Sequence, residues 1–339
     1  MDFMLNIPIL SPPVPISYRD PVMLTGSCFT EHIGNYLKEM KFDILQNPHG
    51  ILFDPRSVAR SIVSYIQPKI YKEEDLFYLN ERWQSWQHHG FFSAIERKAC
   101  IDKINESQAR AHALLAKSKW LIVTLGSAFS YSLCEEAPDA VRVGLEPGDS
   151  SVSNCHRAPS QWFRKELMPI EEINAVLDNC IHQLFQFNPS IRIIFTVSPV
   201  RHIRDGVIEN NRSKARLIEV VHTLANKFDR IYYFPAYELV VDVLRDYRFY
   251  DIDMVHPNYQ ATHFVLEKFG QHFMDKETKS LIQELEKIVI ARKHRPFHTG
   301  TQAHRQFLQQ QWEKAKEIQQ RFPALNLEEE LNYFLANKD

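Results

Sequence analysis

Pro21-Val22-Met23-Leu24-Thr25-Gly26-Ser27-Cys28-Phe29-Thr30-Glu31 is the stretch that decides how this chain is read. Residues 21–25 form a short apolar run of the kind that makes a buried strand. A helix is predicted over 31–40, with Thr30 as its N-cap. Between them the backbone must turn from extended to helical within a few residues. Side chains on that turn project beyond the end of a sheet, where the next helix aims its free N–H groups and the positive end of its macrodipole.

Working outward, further strands are predicted at 42–45, 120–125, 192–197 and 231–234, and helices at 55–66, 101–117, 169–187 and 211–228. Pro55 suits the first turn of its helix. Strands that alternate with helices imply a mainly parallel sheet covered on both faces. The simplest topology is a doubly wound, five-stranded α/β sheet of flavodoxin-like type. Ligands bind such sheets outside the carboxyl ends of the strands. The polar groups 26–30, Gly50, Gly126-Ser127 and Arg201-His202 all fall in such places.

Residues 70–100 break the alternation with Trp83, Trp86, His88, His89, Phe91 and Phe92, and read as an aromatic insertion, a short hairpin or lid. Residues 130–143 read as a hairpin. After Pro257 the pattern is helical. Phe307, Leu308, Trp312, Ala315 and Ile318 share one helical face, and a second amphipathic segment ends at Leu335. The expected organisation is a main domain over 1–296 and a helical extension over 297–339 that packs on the core or on a second copy.

The 339 residues are 44% hydrophobic, enough for a full core without disulfides. A net charge of -2 argues against a nucleic-acid binder, and the basic run Arg292-Lys293-His294-Arg295 follows Glu284 and Glu286 as on a solvated helix face. The five cysteines include no CxxC pair, so neither a zinc site nor a disulfide framework is expected. The N-terminal stretch lacks a basic, long-apolar leader, and no run reaches membrane-spanning length. These features together predict a soluble cytoplasmic protein with neither nucleic-acid nor membrane partners.

Two constellations can carry chemistry. The first is the 26–30 turn. Cys28 at a helix N-terminus should have a lowered pKa and more thiolate, whereas Ser27 would need a neighbouring base. The competing reading makes Ser27 a cap and Cys28 a small buried hydrophobe. The second is Asp253-Met254-Val255-His256-Pro257. Pro257 biases His256 toward an extended conformation. The Asp253 carboxylate can accept from one ring nitrogen of His256, fixing the tautomer and leaving the other nitrogen for a nucleophile. The competing reading is a surface loop with a capping aspartate. His88 and His89, being adjacent, would point apart if extended, so no metal site is expected there.

Gly26-Ser27-Cys28-Phe29-Thr30-Glu31 resembles the first block, G-D-S-x-T-E, of SGNH/GDSL hydrolases, and Asp253-x-x-His256 resembles their last block. The chain is more closely similar to the GSCFA-domain family. Its first-strand motif matches at 26–30 apart from Thr30, and further likeness lies in 47–52, Asn154-Cys155-His156, 196–202 and Tyr247-Arg248-Phe249-Tyr250. The resemblance implies that Cys28 stands where the nucleophilic serine would, with Thr30 and Glu31 in register. A shift of one residue would restore Ser27 instead. It further implies an oxyanion hole from the N–H groups of Cys28 and Gly50. The third block is altered, since Gly126-Ser127-Ala128 has no Asn; Asn154 or Ser127 can take that place. Gly50 also reads simply as a turn glycine.

The resemblance implies an esterase-like hydrolase or acyltransferase acting on a small-molecule or carbohydrate acyl ester, with no metal or organic cofactor. His156-Arg157 and Arg201-His202 would bind substrate or hold loops, and Trp83, Trp86, Phe91 and Phe92 would stack on a sugar or pack a lid. A non-catalytic ligand-binding or assembly protein on the same fold is the rival expectation.

Overall fold

The structure, a computed structural model, describes residues 4–145 and 148–336. Strand β1 (Val22–Gly26) is buried along its whole length. On one side it pairs with β2 (Ile44–Gln46) and on the other with β5 (Trp120–Leu125), both in parallel, so that Met23 lies opposite Leu45 and Leu121. Strands β9 (Arg192–Val197) and β10 (Ile231–Tyr233) extend the sheet to the order β10-β9-β5-β1-β2, all parallel. This is a doubly wound α/β sheet.

The two-residue period of the strands divides the core. Val22, Leu24, Trp120, Ile122 and Ile194 face one layer, made by α1 (Phe29–Glu39), α7 (Tyr259–Phe273) and α8 (Lys276–Lys293). Met23, Leu121, Val123, Ile193 and Phe195 face the other, made by α2 (Pro55–Ile66), α3 (Arg97–Lys117), α4 (Ile170–Phe187) and α5 (Val207–Lys227). Both faces are dry, which is why the central strands read as continuous apolar runs.

Several boundaries differ from expectation for local reasons. Helix α1 begins at Phe29, with Cys28 rather than Thr30 in the cap position and no side-chain cap. The N–H of Thr30 already donates to Ser27 O at 2.9 Å, and its hydroxyl is buried without a partner among the described residues. Phe42 is not yet strand, because its N–H still closes the helix end on Leu37 O at 3.0 Å. Helix α5 starts at Val207, after Gly206 with φ 89°.

The 70–100 insertion contains a hairpin, β3 (Phe77–Leu79) and β4 (Arg82–Gln84). The expected 130–143 hairpin does not form. Strand β6 (Phe129–Leu133) pairs instead with β7 (Ser151–Val152) and β8 (Phe163–Leu167), because the chain leaves the ladder at Cys134 and passes Pro138, which has no N–H to donate. Trp86 stacks on Phe77 at 3.8 Å and fills the space between hairpin and antiparallel sheet.

A short helix, α6 (Ala236–Glu238), runs into a π-helical turn, Leu239–Leu244, and then the loop before α7. The tail forms α9 (Gln302–Arg321) and α10 (Glu328–Ala336). It packs on its own chain: Leu308, Ala315, Ile318, Leu327 and Phe334 belong to the same core cluster as β1 and α1. Glu330, fully buried, pairs with Lys41 at 2.8 Å. The outermost residues of the two expected segments, 1–3 and 337–339, lie outside the described residues. Among the described residues, no helix is long and apolar enough to cross a membrane.

Candidate active site

The β1–α1 junction is tightly fixed. Gly26 has φ 136°, and a Cβ there would sit 2.1 Å from Thr124 O, so only glycine lets β1 and β5 run this close. The N–H of Ser27 donates to Thr124 O at 3.0 Å, which binds the turn to the neighbouring strand. Ser27 is 1% exposed, and its hydroxyl is buried without a hydrogen bond among the described residues. Cys28 is the half-buried residue of the pair and reaches the surface cavity beyond the sheet.

The thiol of Cys28 is not pulled down as its place at a helix N-terminus suggests. Burial pushes it up, and so does Glu31. Lys214 and the N–H groups of Cys28 and Phe29 act the other way without prevailing. Desolvation of the thiolate therefore outweighs the helix terminus, and the thiol needs a base.

The 253–256 loop carries the candidate. Asp253 Oδ2 accepts from His256 Nδ1 at 2.6 Å, while Oδ1 accepts from the N–H groups of Val255 at 2.9 Å and His256 at 3.0 Å. These bonds, led by that of the imidazole, hold the Asp253 carboxyl down to about 2. With its Nδ1 donating, His256 presents Nε2 as the free basic nitrogen. Met254 makes the loop tight with φ 57°. The loop is anchored from behind: Asp251 N–H donates to His256 O at 2.8 Å, Asn258 Nδ2 to Arg248 O at 2.7 Å, and Asn258 caps α7 through Ala261 N–H at 3.1 Å.

Cys28 and His256 line one cavity of about 570 Å³, together with Ser127, Asn154, Arg201 and His202. Chain segments far apart in sequence thus meet at the carboxyl edge of β1, β5 and β9. Residues 21–269 match the GSCFA family, and 285–337 match the C-terminal domain of GSCFA domain proteins. The chain belongs to the GSCFA family. No curated protein matches it.

Within this GSCFA domain, not every expected site residue reaches the cavity. Ser27 lies beneath the elbow. Gly50 does not line the cavity, and its N–H already donates to Asn47 O at 2.7 Å, so it is no oxyanion donor. Its role is conformational: φ is 77°, and a Cβ would fall 2.2 Å from that of His89. His156 is buried, with Nε2 on Ser85 O at 2.8 Å, away from the cavity. Asn154 lines the cavity, and its Oδ1 accepts from His156 N–H at 2.8 Å. Arg201 braces the loop: its guanidinium lies 4.0 Å from the Tyr250 ring and donates to Met254 O at 3.1 Å. His202, edge-on to Phe53 at 5.4 Å, is pushed down to about 4 by burial and by Lys214, so it is neutral near pH 7. The insertion aromatics are not among the cavity-lining residues: Trp86 and Phe92 are in cores, Trp83 stacks with Arg97 at 4.2 Å, and Phe91 is exposed.

The sequence reading missed Phe53, Asp54, Tyr131, Cys155, the Lys165–Asp205 ion pair and Lys214. Lys214 had a signal. The buried stripe of α5 runs Asn210, Ser213, Lys214, Leu217, Val220, Val221, Leu224, so its first turns carry polar groups where its later turns carry core.

Proposed function

We propose that this protein is a thiol-dependent esterase-like hydrolase or acyltransferase, with an SGNH-type arrangement of its reactive groups. The supporting observation is that Cys28 and His256 line one cavity, with His256 hydrogen-bonded to Asp253. In the proposed reaction His256 Nε2 takes the thiol proton as Cys28 Sγ attacks the ester carbonyl carbon. The oxyanion that forms is met by the N–H of Cys28 and by Asn154 Nδ2. The tetrahedral intermediate collapses, the alcohol leaves with the proton from His256, and a thioester remains on Cys28. Water, or a second alcohol, then attacks the thioester with His256 as base, and the acid or the new ester departs. Asp253 keeps the imidazole in the required tautomer throughout.

The substrate we propose is a small acyl ester, carbohydrate esters included. Phe53, Phe129, Tyr131, Val152 and Val255 give the cavity apolar walls, and Ser127, Asn154 and His202 add polar groups. Hydrolysis of p-nitrophenyl acetate tests the reading. Cys28→Ala and His256→Ala should lose activity while Ser27→Ala keeps most of it. Equal rates for all three and the wild type would overturn it. The occupied N–H of Gly50 and the raised thiol favour a second reading, a ligand-binding protein on this fold. Tight binding of a carbohydrate ester with no turnover and no labelling of Cys28 by a thiol-directed probe would select it.

A further inference from the structure

We propose that Lys214 is the counter-charge that sustains a Cys28 thiolate, its ammonium clamped between the carbonyl ends of two central strands. The inference rests on the reading of Cys28 as the nucleophile. Lys214 is 1% exposed, and Nζ donates to Gly126 O at 2.6 Å and Ser198 O at 2.7 Å. No carboxylate pairs with it among the described residues. An ammonium has three donors, so one is uncommitted. Gly126 is packed against the elbow: a Cβ on it would lie 3.0 Å from Ser27 Cβ. The amine is thereby held behind the turn that carries Cys28.

Neither group is comfortable as an ion alone. Burial pulls the Lys214 amine down to about 7, and burial with Glu31 pushes the Cys28 thiol up. Each opposes the shift of the other, so the charged forms support one another. The neighbouring cation Lys165 bears on His202, as Lys214 also does, and not on Cys28. The strand-end carbonyls suit a cation, because two C=O dipoles point at Nζ and partly replace its lost hydration. A purely structural lysine would tie β5 to β9 in the same way yet leave the reactivity of Cys28 unchanged.

The test reads the thiol directly. Alkylation of Cys28 by iodoacetamide is followed across pH 6–10 by peptide mass spectrometry in wild type, Lys214→Met and Lys214→Arg. The Met variant should react about tenfold more slowly near pH 7.5, with its profile moved to higher pH, and the Arg variant should stay close to wild type. Superimposable profiles for wild type and a folded Met variant would overturn the proposal. If the Met variant does not fold, the reciprocal measurement decides. In ¹³C-lysine-labelled protein, Lys214 should titrate at lower pH in Cys28→Ser than in wild type, and an unchanged titration refutes the coupling. Neither readout needs ester turnover, so a protein inert toward esters would remove the catalytic reading while this coupling is judged separately.

Discussion

Lowering the pH should unfold this protein through three buried histidines before most carboxylates are involved. His49 stacks on His88 at 4.1 Å, with its Nδ1 on the Tyr65 hydroxyl at 2.8 Å. His88 Nδ1 meets Ser85 Oγ at 3.0 Å, and His156 Nε2 meets Ser85 O at 2.8 Å. Burial drives His49 down to about 3 and His156 to about 4, and it holds His88 well below the usual histidine range. All three are therefore neutral in the folded state, while in the unfolded chain each takes up a proton near pH 6.5. Their stabilisation is complete above pH 6.5 and is lost as pH falls, because only the unfolded state gains protons. Each group contributes a slope of about 1.4 kcal/mol per pH unit, so the three together approach about 4 kcal/mol per unit below pH 6. Asp54, whose carboxyl burial pushes up, works in the opposite sense at the acid end and offsets part of this. Against a typical total of about 5–15 kcal/mol, cooperative structure should fail between roughly pH 5 and 4. Urea melts followed by circular dichroism at pH 7, 6 and 5 measure the slope, to which His202, also pushed down to about 4, adds, and His156→Gln should remove about 1.4 kcal/mol per pH unit of it. A stability that is flat from pH 7 to 5, or a slope unaffected by that substitution, would refute the reasoning.

Four further outcomes are expected. Asp253→Asn should leave the fold intact and lower the rate of the proposed ester hydrolysis by about 10²-fold or more, since the amide no longer fixes the imidazole tautomer; p-nitrophenyl acetate rates in the variant check it. Gly50→Ala should cost about 2–4 kcal/mol in a denaturant melt, from a left-handed φ of 77° and a clash with His89. Phe334→Ala should cost about 3–5 kcal/mol by the same measurement, because the tail ring is fully buried in the main core cluster. Lys41→Met should cost about 3 kcal/mol or more, because it leaves the buried Glu330 carboxylate with Arg292 alone at 3.5 Å; Glu330→Gln in the same background should recover part of the loss.

The architecture was legible because its signals are local. Residues 120–125 and 192–197 are largely apolar, as strands covered on both faces must be, and their bounds in the sequence and in the structure agree. The Asp253–His256 contact was equally local: three positions apart, in a loop stiffened by Pro257, the pair had little room to do otherwise. Gly50 stays open between two readings in the sequence because a glycine with positive φ looks the same whether its N–H faces a ligand or closes a turn. The direction of the Cys28 shift was misjudged because helix position is written in the sequence and depth is not. Burial arises only when α5, β5 and β9 close over the elbow. Lys214 belongs to the same class of fact. Its meaning depends on two carbonyls from different strands, and nothing within a few residues of it names them. Elements and adjacent pairs follow from short-range pattern, whereas the electrostatics of a reactive group follow from what the fold removes from water. In this chain the thiol and the buried amine come from β1–α1 and α5, so their protonation states are properties of the assembled sheet edge.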